Sequence, residues 1–125
     1  MTNKLLMRRP ELLLRWIYLL LAVAGAILPW QANLEFMQAS GDPLALMQFI
    51  QDANANAAAR SLSRDLLIGA SAITIWIAVE GRRLLMKGWW ITLIACVMIS
   101  FACGAPLFLH LRERRLAELA AAEQS

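Results

Sequence analysis

Cys96, Cys103 and His110 are the residues of this chain best suited to ligate a metal or attack a substrate, and all three fall within one apolar run, Gly88–Leu111. If that run is one helix, the thiols share a face but stand about 10 Å apart along the axis. A disulfide needs Cα atoms within about 7 Å, so they cannot pair with each other in such a helix. Nor can they share one metal ion, and they read as small apolar residues. His110 is the sole histidine. A histidine inside a membrane points to haem ligation or a proton relay. Bis-histidine ligation, however, would need a second copy of the chain, and position 110 adjoins the basic tail at the edge of the run. Glu80 and Arg83 face each other on any helix that carries both. With Arg82 they form a charged helix end that can shelter a carboxylate beside lipid, or dock a partner subunit or an anionic lipid. Glu35, Asp42 and Asp52 are scattered along a polar stretch, and nothing in their spacing suggests a catalytic pair. No nucleophile stands beside a base, and neither a phosphate-cradling loop nor a metal-ligand spacing is present. The expectation is a protein that is not an enzyme and uses no cofactor or metal.

The elements that position these residues are set by composition. Of 125 residues, 60% are hydrophobic and 17% charged, against about 45–50% and about 25% in soluble domains. So large an apolar excess is hard to bury in so small a body, and lipid-facing helices resolve the conflict. Gly88–Leu111 has no Asp, Glu, Lys or Arg over 24 residues. As a helix it would be about 36 Å long, enough for a hydrocarbon layer of about 30 Å. Leu12–Trp30 is interrupted only by Arg15, which can snorkel, and Trp16, Tyr18 and Trp30 bracket it as interface aromatics would. Pro29 falls in its last turn. Leu66–Val79 is short for a span. It reaches span length when extended from Ser61 to Gly81, with Ser61 or Ser63 as cap; a re-entrant segment competes with that reading. The expected fold is therefore all-α, a single domain over residues 1–125. It is a three-transmembrane-helix bundle with spans at about 12–30, 62–81 and 89–111. A short amphipathic helix at about 43–53, started by Asp42-Pro43, lies in the first extramembrane loop, and a charged tail occupies 112–125.

Small residues mark packing surfaces. Cys96, Ser100 and Gly104 recur every four residues and would line one face of the third span, letting another helix approach closely. Ala22, Gly25 and Ala26 do the same on the first span, Gly69 and Ala72 on the second. Pro106 should kink the third. Positive charge favours the cytoplasmic side. The stretch Gln31–Ala59 lacks Lys and Arg, which puts it outside and the N-terminus inside. With three spans the tail is outside, leaving seven positives inside and five outside. If Leu66–Val79 is re-entrant the inside count is again seven, so charge alone does not place the tail.

Glu80-Gly81-Arg82-Arg83, followed by Gly104-Ala105-Pro106-Leu107-Phe108-Leu109-His110-Leu111-Arg112-Glu113-Arg114, resembles a family of small integral membrane proteins of the domain-of-unknown-function kind. The resemblance covers roughly residues 18–116. It implies the same plan of spans and a bacterial plasma or internal photosynthetic membrane, and it implies no activity. His110 stands where the family has Tyr or another aromatic, so the resemblance assigns it no mechanism.

The expected partners are the lipid bilayer and a membrane protein, or a second copy of the chain. Nucleic acid is excluded because there is neither a solvated basic stripe nor an aromatic platform. The expected role is a small accessory or assembly subunit of a larger membrane complex. The alternative is a small homo-oligomeric carrier or pore, for which Ser71, Thr74, Thr92 and Ser100 are the polar candidates, none of them ionisable.

Overall fold

The computed structural model describes residues 2–42 and 45–124, with side chains from Leu12 onward. Five helices follow in order: α1 Thr2–Ser40, α2 Leu46–Ala53, α3 Ala57–Arg83, α4 Trp89–Met98 and α5 Phe101–Gln124. Among the described residues there is no strand. Two helices, α1 (from Leu12) and α3, are long and apolar enough to cross a membrane. The expected third span is not one helix.

Helix α1 does not stop at Pro29 but continues to Ser40. The residues after Trp30 (Leu34, Glu35, Met37, Gln38, Ala39) are good helix formers. Gly41 ends the helix at φ +70°, its N–H donating to the Met37 carbonyl at 3.0 Å. A left-handed residue there suits glycine. Helix α2 starts at Leu46 with Ala45 as its N-cap and no side-chain cap. Asp42 is therefore not the cap, and the expected first helical residue, Pro43, lies outside the described residues. Phe49 of α2 meets Phe36 of α1 edge-on, with ring centroids 5.2 Å apart. Helix α3 begins earlier than expected. Asn56 caps it, accepting from the Ala59 N–H at 2.8 Å, while Ser61 and Ser63 lie inside the helix. Its 27 residues settle the length question for Leu66–Val79: the helix is about 40 Å long.

The run Gly88–Leu111 breaks at Ile99–Ser100. Beyond the break the chain reverses. A Cβ on Gly104 of α5 would lie 2.6 Å from the Cys96 nitrogen and 2.7 Å from the Thr92 carbonyl oxygen of α4. In one continuous helix Gly104 and Thr92 would be about 18 Å apart. Helices α4 and α5 are thus the two arms of a hairpin. The long arm, α5, packs antiparallel along α1: Ser100 meets Gly25 and His110 meets Arg15. Helix α3 joins only through its C-terminal end, where Ile77, Phe108, Leu84 and Met86 form the core. Trp76 stands edge-on to Phe108 at 5.3 Å. Chain reversal brings Arg15, the 84–88 turn and the start of the tail to one end of the bundle, the basic end; α2 lies at the other.

Candidate functional site

The hairpin apex is built from Ser100, Trp30 and Gly25. Ser100 is a cap-type residue in an apolar run, and its Oγ accepts the Cys103 N–H at 3.0 Å as α5 begins. The same hydroxyl donates to the Gly25 carbonyl. The Ile99 carbonyl, left without a helical partner, accepts from the Trp30 indole N–H. Unpaired backbone groups in hydrocarbon cost several kcal/mol each. The break survives because α1 supplies these partners. Pro106 is not the break. It lies inside α5, where it has no N–H to give the Ala102 carbonyl. A Cβ on Gly25 would run into that carbonyl and stand 2.7 Å from the Cys103 nitrogen. Only glycine admits so close a crossing of α1 over α5.

The basic end holds the charged cluster. Glu80 is 5% exposed. Its carboxylate accepts from Arg83 Nη2 at 2.7 Å and Nε at 2.9 Å. Arg112 Nε, thirty-two positions on, donates to it at 3.0 Å. The Arg112 guanidinium also lies 5.7 Å from the Trp76 ring centroid, while Arg82 lies 5.4 Å from that of Trp89. Gly81 is in contact with the Trp89 side chain, whose Cγ would be 2.6 Å from an added Cβ. The turn after α3 is closed by Met86 N–H to the Gly81 carbonyl at 2.9 Å and Leu85 N–H to Arg82 at 3.2 Å. Leu85 holds the left-handed position of this motif at φ +53°. Arg115 Nε donates to the Leu84 carbonyl at 2.9 Å, satisfying a group freed by the helix end.

Of the residues singled out from sequence, Glu80, Arg82 and Arg83 gather at the basic end, joined by Arg112 and Trp76. Cys96 and Gly104 face each other across the hairpin, with Ser100 at its apex, so they do not line one face of one helix. The thiols occupy different arms, and both are free. Sequence reasoning missed Trp30 and Gly25 as apex partners and Arg112 as a partner of Glu80. The sign of the first was a cap-type serine amid apolar residues; the second left no local sign. His110 Nδ1 lies 3.0 Å from the Arg15 carbonyl oxygen, so donation there places the proton on Nδ1. Chemically the cluster is an ion-pair network in which the Glu80 oxygens are occupied by guanidinium donors. Among the described residues no three His, Cys, Asp or Glu side chains gather as a metal site.

Two apolar helices of spanning length joined to a helical hairpin define the chain as a helical protein of membrane-compatible type. It belongs to the family described as Protein of unknown function DUF2834, which matches residues 17–114. No curated protein and no solved structure matches the chain.

Proposed function

We propose that the chain is a two-span membrane protein with a re-entrant hairpin, acting as a small accessory or assembly subunit of a larger membrane complex. The observation that carries the assembly role is the unused face of α3. Gly25, Gly81 and Gly104 are each consumed by a close contact within the chain, whereas Gly69 has nothing within 4 Å. Only 6% of the most apolar stretch of α3 is buried, and Ala72 shares the turn of Gly69. A small-residue face left open on an otherwise self-packed chain suits a helix from another subunit.

Orientation follows from the hairpin. The tail returns to the end where α1 starts, so Lys4, Arg8, Arg9, Arg15, Arg82, Arg83, Lys87, Arg112, Arg114 and Arg115 share one side, and only Arg60 and Arg64 take the other. A bias of ten to two supports a basic end in the cytoplasm and α2 outside, in the bacterial plasma or internal photosynthetic membrane that the resemblance implies. The three-span arrangement gave seven to five.

Purification of a tagged chain in mild detergent should recover a stoichiometric membrane partner, and Gly69→Leu should release it while leaving the chain folded. Recovery of the chain alone as a monodisperse small oligomer would refute the accessory role. It would favour the carrier or pore, for which flux in proteoliposomes is the measurement.

A further inference from the structure

At the basic end, the 84–88 turn and the first turns of the tail enclose a cleft of about 420 Å³ that the ion-pair network leaves open. Its polar lining is Lys87, Arg114, Arg115 and Glu118; its apolar lining includes Leu85 and Leu111. Two of the three cations share one carboxylate. Glu118 lies 3.2 Å from Arg115 Nη1 and 3.8 Å from Arg114 Nε. Lys87 has no ion-pair partner among the described residues. Arg115 is held in place by its bond to the Leu84 carbonyl, so one guanidinium is fixed before any ligand arrives. The apolar rim is exposed at Leu85, which is 76% accessible. An anion bound here would have its charge among guanidinium and ammonium groups and its attached chain beside the two leucines.

We propose that this cleft seats the phosphate of an anionic phospholipid headgroup, with Lys87, Arg114 and Arg115 as its ligands and Leu85 and Leu111 beside the acyl chains. Fixed guanidinium donors recognise phosphate oxygens by geometry as well as charge. Basic pockets on the cytoplasmic side of membrane helices hold acidic lipids in this manner. The apolar rim favours a lipid over a free phosphate, which would gain nothing from it. The proposal rests on the reading that the basic end lies at a membrane surface.

The test uses the full-length chain in neutral detergent, observed by native mass spectrometry during titration with phosphatidylglycerol, phosphatidylcholine or inorganic phosphate. One phosphatidylglycerol should be retained per chain and phosphatidylcholine should not. The double variant Lys87→Ala/Arg114→Ala should lose affinity by about thirtyfold, two surface cations' worth. Arg60→Ala/Arg64→Ala, at the other end, should bind as the parent does. Both altered cleft residues are exposed, and the lipid preference of the parent is informative without any variant. Equal retention of the two lipids, or full affinity in the Lys87/Arg114 variant, would overturn the proposal. Displacement of the lipid by an equal concentration of inorganic phosphate would also overturn it, assigning the cleft to a soluble anion. Flotation with neutral vesicles separates the two levels. A chain that floats but shows no lipid preference loses only this site. One that floats with no vesicle loses the membrane reading as well.

Discussion

Gly104→Ala tests the hairpin directly. The added methyl would lie 2.6 Å from the Cys96 nitrogen and 2.7 Å from the Thr92 oxygen, both backbone atoms of α4, and ordinary contact starts near 3.4 Å. The arms must therefore part by about 0.8 Å. A gap of that size forfeits about a quarter to a half of each dispersion contact along the seam. Overpacking of this kind costs about 1–3 kcal/mol. Gly69→Ala is the matched control, because nothing lies within 4 Å of it. Replacing an exposed helical glycine should be neutral or favourable by up to about 1 kcal/mol. The two variants should differ by about 1–4 kcal/mol, Gly104→Ala being the less stable. Equilibrium denaturation in mixed micelles, followed by far-UV circular dichroism, measures the gap. If 89–111 were one continuous span, position 104 would meet no α4 backbone, and both variants would behave alike. That outcome would refute the hairpin.

Other consequences are sharp enough to check. Glu80→Gln removes the carboxylate charge and turns one of its two acceptor oxygens into a donor that faces guanidinium N–H groups; Arg112, with a side chain 25% exposed, loses its charged partner, and a loss of about 1–3 kcal/mol is expected by thermal denaturation in detergent. Arg83→Ala should cost less than Glu80→Gln, since that side chain is 63% exposed; a larger cost than for Glu80→Gln would invert this ranking of the cluster. Leu85→Gly removes a side chain from a left-handed position at φ +53°, and a gain of about 1 kcal/mol in the same assay is the expected result. In a variant with Cys96 and Cys103 replaced by Ala, Ala121→Cys should be protected from an impermeant thiol reagent in intact cells, and labelling there would place the tail outside.

Much of this architecture is legible in the residues themselves. Leu12–Trp30 and Ser61–Gly81 announce helices by length and composition, and both lie inside longer ones. Their ends were harder to read. Pro29 resembles a terminus, yet the helix formers after it carry α1 ten residues past Trp30. Asn56 caps α3 from a stretch that looks like a linker. The main departure is Gly88–Leu111, where apolar length argues for a crossing and a single hydroxyl argues against it. Ser100 fits a small-residue stripe as well as it fits a cap. What decides is the indole of Trp30 and the carbonyl of Gly25, some seventy positions away, and no local pattern contains them. The Glu80–Arg112 pair is likewise a product of the reversal: Arg112 reads as a membrane anchor until the chain folds back.

The apex has an implication for biogenesis. A loop bearing a hydroxyl and an open carbonyl cannot enter hydrocarbon by itself, because its polar atoms need the partners that Trp30 and Gly25 provide. Those partners leave the ribosome about seventy residues earlier. On the two-span reading proposed above, vectorial synthesis delivers the receptor before the segment it must receive, and the last third of the polypeptide would insert against an α1 already in place rather than as a stop-transfer sequence of its own.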